Sequence, residues 1–439
     1  MKIAPTRIDW KFSIKHLMIM SWWLPDSPVR DYFGIILDGA VRSGKSLPGS
    51  ISFVKWAFHR FPGGGGDFFF AGKTIHAVVR NIVRPLIKAS RSIGYKVNYK
   101  KADNLVVITS KAGVQHNFYL FGGHDEASQD LIQGFTAWGG FFDEAPIMPK
   151  SFVDMAVSRL SVEGAVVFFT SNPLNPAHWF KKDFIDRALE KGLLYLHLTM
   201  NDNLSLSERV KARYRSLFTG VFFRRYILGE WCAAEGLIYP EFASREDLAF
   251  DFDGKWSDYG EMFVACDYGI QNAQVYLLFA YHTKRLRWEV VKEWYHFGRE
   301  TENQMTDAEY YRYLVDFVGN LPVRDIIIDP SAASFIAVIR KSKRFRAILA
   351  SNEVVAGIGY TASLFHIGKL AIARSCEHLI EELGGYVWDE KKAERTGEEA
   401  PVKVGDHGPD SLRYGCATHI KRYEKRYGIM ISTRRDNVV

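Results

Sequence analysis

The sequence predicts an α/β protein in two halves, each a sheet with polar residues at its strand tips. Three observations carry this. Apolar runs of strand length recur and stop abruptly at Asp, Gly or Thr, as in residues 33–37, 166–170, 262–266 and 326–328. A G-x-x-x-x-G-K-S segment at residues 39–46 lies between the first of these runs and a helix-forming stretch at 51–61. The chain then changes character near Gly229-Glu230-Trp231, and residues 235–257 have loop-like composition.

In that strand–loop–helix setting the segment reads as a phosphate-binding loop. The backbone of Gly39, Ala40, Val41, Arg42, Ser43, Gly44, Lys45 and Ser46 turns its amides toward phosphates at a helix N-terminus. Lys45 reaches the β- and γ-phosphates of ATP, and the Ser46 hydroxyl ligates Mg²⁺. A carboxylate pair is then required. Residues 136–142 read as a central strand ending in Asp143-Glu144, with Asp143 holding the metal through water and Glu144 polarising the attacking water. The next strand, 166–170, ends in Thr170-Ser171-Asn172-Pro173. A polar residue there senses the γ-phosphate, or the sequence is an ordinary Asn-Pro turn; the pattern leaves both open. Arg42, inside the loop, is the first candidate for the arginine that stabilises the transferred phosphoryl, ahead of Arg80 and Arg84. Gly72-Lys73-Thr74 imitates a second loop, but Asp67 stands where its first glycine belongs. It reads as a strand end beside the site, facing DNA.

Composition narrows the setting. The 439 residues suffice for two or three domains, and 47% hydrophobic content supports real cores. A net charge of +7 favours polyanionic partners. Cys232, Cys266, Cys376 and Cys416 form no C-x-x-C pair and read as reduced core cysteines of a cytoplasmic protein. No apolar run reaches membrane-spanning length. Gly63 to Gly66 reads as a loop, and the charged stretch 389–400 as an exposed loop or hairpin tip.

In the second half, residues 262–266 form an apolar strand running into Asp267. Residues 274–281 and 287–294 make a hairpin, 326–328 end in Asp329, and Asp406-His407 and Asp410 open a late helix. Carboxylates at successive strand tips and at a helix start resemble the ribonuclease H-like fold. Such a cluster suits two divalent ions (Mg²⁺ or Mn²⁺) held by Asp267, Asp329 and Asp410; each Asp alone equally ends a strand or caps a helix. The basic run Arg340, Lys341, Lys343, Arg344, Arg346 reads either as a phosphate grip beside this site or as a solvated helix end.

A phosphate-loop (ASCE-type) ATPase followed by such a nuclease resembles the large terminase subunit of tailed bacteriophages. The likeness extends through Gly72 to Leu86, Gly134 to Ala145, Thr170 to Pro173 with Pro176 to Trp179, and Gly229 to Pro240. It closes with Lys-x-x-Asp-His-x-x-Asp-x-Leu-Arg-Tyr at residues 403–414. It implies a motor that uses ATP to drive double-stranded DNA into a prohead and a two-metal nuclease that cuts concatemers. Asp406 and His407 would be accessory to the metal carboxylates. The implied partners are the portal protein, the small terminase subunit and further copies in a homo-oligomeric (pentameric) ring, the chain being monomeric in solution. The implied place is the cytoplasm of the infected host, with no membrane. The family's adenine-binding element has only Trp22, Trp23 and Pro25 as counterparts, which suit a core equally. The expected boundaries are 1–235 for the ATPase, 236–258 for a junction, 259–425 for the nuclease and 426–439 for a basic tail. Two competing readings are a helicase-like DNA-dependent ATPase with structural acids, and an ATPase whose second half only docks partners.

Overall fold

The computed structural model describes residues 11–269, 273–297 and 305–427. The chain divides into two compact units. One comprises the residues up to Ala212 with Gly220–Ala233 and Glu394–Glu398; the other comprises Arg213–Thr219, Ala234–Ala393 and the residues from Glu399 on.

The first unit is built on strands β1 (Gly34–Gly39), β2 (Asp67–Gly72), β3 (Tyr95–Lys100), β4 (Leu105–Ser110), β5 (Gln115–Gly122), β6 (Gly139–Phe142), β7 (Val166–Thr170) and β8 (Leu193–Leu198). Their order is β3-β4-β5-β2-β6-β7-β1-β8. From β5 to β8 every pairing is parallel, while β3 and β4 add an antiparallel edge. A parallel sheet is covered on both faces, so its strands must be apolar throughout. Accordingly β1, β6 and β7 are buried at every position, and edge strand β3 alternates. The alternation of side chains along β2 sends Phe68 and Phe70 into one core, with Phe53, Phe118, Phe141 and Phe168. Phe69 goes into the other, with Phe142, Phe169, Phe180 and Phe184. Each such ring contributes roughly 1.5–3 kcal/mol by leaving water. Helix Ser46–Arg60 covers the first face with Ile51, Phe53, Val54, Trp56 and Ala57. It starts at Ser46, earlier than the composition of 51–61 suggested, because the phosphate-loop backbone runs directly into its first turn.

Strand β6 is shorter than the expected 136–142. Ala137 gives its amide to the Arg159 carbonyl, and Trp138 gives its amide to Asp67, before the parallel ladder begins. The order β6-β7-β1 puts one strand between the loop strand and the strand carrying Asp143-Glu144. Thr74 caps a short helix by accepting from the Ala77 amide at 3.1 Å, so Gly72-Lys73-Thr74 is a strand end.

The second unit has strands β9 (Ala249–Phe250), β10 (Tyr259–Asp267), β11 (Ala273–His282), β12 (Arg287–Phe297), β13 (Asp325–Ile328), β14 (Arg346–Leu349) and β15 (Leu370–Ala373), ordered β14-β13-β10-β11-β12-β15-β9. Five successive strands, β12-β11-β10-β13-β14, with β11 antiparallel to both neighbours, form the ribonuclease H-like sheet. The hairpin is realised as β11 and β12, with a bulge beside Leu278.

Three expectations need correction. Residues 236–258 are not a free junction. Ile238 donates to the Tyr386 carbonyl, Tyr239 is buried against Phe365 and Tyr386, and β9 joins the sheet edge, because these apolar residues find a core. The charged stretch 389–400 contains a helix, Glu390–Thr396, started by Asp389 accepting from the Lys392 amide and closed by a Trp388–Pro401 bridge. Within it, Glu394–Glu398 clusters with the first unit, where the Gly397 backbone lies against Ala177 and His178. The basic run does not flank Asp329. Helix Ala333–Ser342 carries the chain back from that strand tip, and Arg346 lies opposite Asp325 at the other end of β13, about 13 Å away by strand rise. Arg346 makes a two-pronged bond to Asp325, and Arg344 donates to the Gly319 carbonyl. The expected tail 426–439 lies, from 428 on, outside the described residues. All four cysteines are buried and free. Among the described residues no helix is long and apolar enough to cross a membrane.

Candidate active sites

Ligands of open α/β sheets bind at the carboxyl ends of the strands, and there the first unit gathers its polar residues. The loop after β1 turns through left-handed backbone at Arg42 (φ 59°) and Gly44 (φ 85°). At Gly44 a Cβ would come within 2.9 Å of the His16 ring, so this turn requires glycine. Lys45 is buried, and its ammonium donates to the carbonyls of Gly39 (2.8 Å) and Ala40 (2.7 Å), to Ser43 Oγ (3.2 Å) and to Asn172 Oδ1 (3.0 Å). Burial pushes Lys45 down to about 8, against the pull of Asp38, Glu144 and Asp143. Ser46 Oγ donates to Asp143 Oδ1 at 3.0 Å, so the hydroxyl and carboxylate expected to share a metal stand together. Asp143 also accepts from Thr170 Oγ1 (3.2 Å) and Asn81 Nδ2 (2.9 Å).

Glu144 adopts left-handed backbone (φ 57°), a conformation costing a non-glycine residue about 1–3 kcal/mol. Its amide donates to Thr170 Oγ1 at 2.9 Å, which holds the turn. Its carboxylate accepts from Asn172 Nδ2 at a long 3.4 Å. Asn172 therefore stands between Lys45 and Glu144, which an ordinary Asn-Pro turn does not require. Arg42 is exposed on the loop, and its carbonyl accepts from Asn203 Nδ2 at 2.8 Å. Arg80 and Arg84 are also exposed, Arg80 donating to Asn81 Oδ1. Trp22 and Trp23 belong to the core: Trp22 packs edge-on against Phe168, and Trp23 donates its indole N–H to Ser52.

Four residues at this site escaped the sequence reading. His16, on helix Ile14–Ser21, has Nε2 3.1 Å from the Ser43 carbonyl. Asn81 and Asn203 brace Asp143 and Arg42. Asp38, fully buried at the end of β1, meets Ser171, Tyr195 and Trp231. Only Asp38 left a signal, as a lone carboxylate closing an apolar run.

In the second unit, β10 and β13 run parallel with Cys266 opposite Ile328, so the next residues, Asp267 and Asp329, come at neighbouring strand tips. Helix His407–Tyr414 packs across β10 and β11 and brings Asp410 over them. Its start is fixed by Glu382, which accepts the Gly408 amide at 2.6 Å. Asp267, Lys403, Asp406, His407 and Asp410 line one polar pocket of about 320 Å³ with Tyr268 and Gly269. Asp329 is not among the lining residues; it accepts from the Tyr414 hydroxyl at 2.7 Å and the Ser331 amide at 2.7 Å.

The negative charge here is partly offset within the chain. Lys403 donates to Asp406 (2.6 Å) and Asp410 (3.1 Å), Arg413 to Asp410 (2.9 Å), and His407 Nδ1 lies 3.0 Å from Asp267. Burial pushes the Asp267 carboxyl up, opposed by the bond from His407 and assisted by Asp410. The Asp267 bond in turn raises His407. Although burial would raise Asp329, the bonds from Ser331 and Tyr414 and the charge of Arg413 hold it below the usual carboxylate range. Among the described residues no three His, Cys, Asp or Glu side chains are spaced as a ready metal cage. The donors are hard carboxylate oxygens facing a polar pocket, a donor type that suits Mg²⁺ or Mn²⁺.

Residues 36–245 match the family described as terminase large subunit, T4likevirus-type, N-terminal. The large terminase of a thermophilic bacteriophage is 44% identical, aligned over 94% of this chain and 100% of that one, with a TM-score of 0.88. The same protein has been solved with ADP (44% identical, 93% of this chain and 100% of that one, TM-score 0.88) and with ATP-γ-S (43% identical, 93% and 100%, TM-score 0.87). The terminase large subunit of Escherichia phage T5 is 24% identical over 287 residues. That alignment covers 62% of this chain and 64% of the T5 protein, short of two thirds of its length.

Proposed function

Since the chain belongs to the family of large terminase subunits, we infer that it is an ATP-driven DNA-packaging motor carrying its own metal-dependent endonuclease. The observation that carries the motor reading is the convergence of Lys45, Ser46, Asp143, Glu144 and Asn172 on one loop at adjacent strand tips. The ATP-γ-S and ADP complexes of the thermophilic phage's terminase support nucleotide binding by this chain.

ATP phosphates would take over the Lys45 ammonium from the carbonyls of Gly39 and Ala40. Ser46 and Asp143 would hold Mg²⁺, which neutralises phosphate charge. Thr170 fixes Asp143 through the oxygen that Ser46 also bonds and Asn81 through the other, and Glu144, aimed by its strained turn, orients the attacking water. Asn172, touching both Lys45 and Glu144, senses the γ-phosphate, and Arg42 is the candidate finger.

In the second unit, Asp267 and Asp410, with Asp406 beside them and Asp329 at the neighbouring strand tip, would hold divalent ions that supply an activated water and stabilise the leaving oxygen. His407 orients Asp267, Tyr414 holds Asp329, and Arg413 fixes Asp410. The net charge of +7 fits double-stranded DNA as the substrate. The portal, the small terminase subunit and a pentameric ring in the infected host's cytoplasm complete the reading.

A second reading has one observation in its favour: Lys403 and Arg413 pair with the carboxylates, as in an acid cluster that is only structural. Cleavage of plasmid DNA by the whole chain with Mn²⁺ separates the two. Metal-dependent cutting supports the nuclease; none, alongside intact ATPase activity, favours the structural cluster.

A further inference from the structure

A buried carboxylate lies outside the catalytic roles assigned above. Asp38 closes β1 immediately before the phosphate loop and is fully buried. Its Oδ1 accepts from Ser171 Oγ at 2.6 Å. Its Oδ2 accepts from the Tyr195 hydroxyl at 2.8 Å and from Trp231 Nε1 at 3.1 Å, with His197 Nδ1 3.7 Å away. The donors come from segments 133, 157 and 193 residues distant in sequence. Ser171 adjoins Asn172, which touches Lys45 and Glu144. Trp231 stands just before Ala234, where the chain enters the second unit.

A second set of contacts joins the same partners. The Val41 amide of the phosphate loop donates to the Tyr226 carbonyl at 2.9 Å. Gly229 (φ 78°) lies so close to the loop base that a Cβ would come within 2.8 Å of the Ala40 amide. Residues 226–231 are thus seated on the phosphate loop, with Asp38 beneath both. A buried carboxylate is an unfavourable way to fill this space, because its charge must leave water. Yet its two oxygens satisfy three donors from three segments, and Trp231 can only donate, so an apolar residue would strand it.

We propose that Asp38 is a positioning residue that ties the Ser171–Asn172 strand tip and Trp231 to the base of the phosphate loop, so that nucleotide occupancy is transmitted to residues 226–233. This rests on the ATPase reading above and adds to it the path by which the site addresses the segment leading out of the unit.

The test is amide hydrogen exchange of the full chain with and without ATP-γ-S, on wild type, Trp231→Phe and Asp38→Asn. In wild type the nucleotide slows exchange both in 39–46 and in 226–233. Trp231→Phe, which keeps the ring and loses the bond, retains the slowing in 39–46 and loses at least about fivefold of it in 226–233. A merely structural bond would instead raise exchange in 226–233 equally with and without nucleotide. Asp38→Asn keeps an oxygen for Trp231 and removes the charge. It lowers kcat at least about tenfold, because Asn172 is less well placed, and also raises KM for ATP, because Lys45 loses the charge of Asp38 that favours its protonated form. The proposal is overturned if Trp231→Phe responds to nucleotide like wild type, if wild type shows slowing at 39–46 but none at 226–233, or if Asp38→Asn has a normal kcat. No slowing at 39–46 in wild type overturns the ATPase reading itself, a separate result.

Discussion

Replacing Glu144 by Gln removes one charge and one basic oxygen while sparing the frame around it. The left-handed turn is held by the residue's own amide on Thr170, which the substitution does not touch. Asp143 keeps its bonds from Ser46, Thr170 and Asn81. The Asn172 contact at 3.4 Å is already weak, and a glutamine oxygen can still accept it. The fold and the metal position should therefore survive. What is lost is activation of water, worth typically 10²–10⁴ in rate, or about 2.7–5.5 kcal/mol of barrier. Removing a negative charge beside the γ-phosphate position leaves ATP affinity equal or tighter. Steady-state phosphate release and equilibrium binding of ATP-γ-S, measured on the same preparation, read the two effects separately. A turnover within twofold of wild type would remove Glu144 from the mechanism. Loss of nucleotide binding would show that the carboxylate holds the site together instead.

Three further outcomes follow from the same geometry. Arg42→Ala should lower kcat by about 10³-fold with little change in ATP affinity if this arginine is the finger; an affinity loss at constant rate would make it only a phosphate positioner. Because Lys45 is pushed down to about 8 in the folded protein and phosphate binding needs its charge, kcat/KM for ATP should fall as pH rises through about 8. The kcat profile should hold to higher pH, since bound phosphates keep the proton on; coincident limbs would contradict this. Asp410→Asn should abolish DNA cleavage and also destabilise the protein, by about 3–5 kcal/mol in chemical denaturation, because Arg413 is almost fully buried and Asp410 is its partner. An unchanged or raised stability would show that carboxylate repulsion, not pairing, dominates the cluster.

Much of this was legible because local sequence and tertiary site coincide. G-x-x-x-x-G-K-S needs only its flanking strand and helix, and an apolar run ending in Asp-Glu states its own place at a strand tip. Two apolar runs that each end in Asp likewise place Asp267 and Asp329 at strand tips, and the parallel pairing that sets them side by side is seen in the structure. The misreadings arose where composition stood in for packing. The stretch 236–258 looked like linker, yet Ile238 and Tyr239 are drawn into a core that only the distant Phe365 and Tyr386 provide. The run 340–346 seemed near Asp329 in sequence, but a helix of ten residues carries it to the far end of the sheet. Lys403 opens the closing motif of the sequence, but its pairing with Asp406 and Asp410 shows only in three dimensions, as does the meeting of Ser171, Tyr195 and Trp231 on Asp38.

The central claim is that one chain carries two separable chemistries, ATP hydrolysis at the β1–β6–β7 strand tips and metal-dependent DNA hydrolysis at the β10–β13 strand tips. The most direct measurement assays both activities, ATP turnover with Mg²⁺ and plasmid cleavage with Mn²⁺, on Glu144→Gln and Asp329→Asn beside wild type. The account predicts a crossed pattern: Glu144→Gln cuts DNA without turning over ATP, and Asp329→Asn turns over ATP without cutting DNA. Cleavage by Asp329→Asn at the wild-type rate, or loss of both activities in either variant, would contradict it.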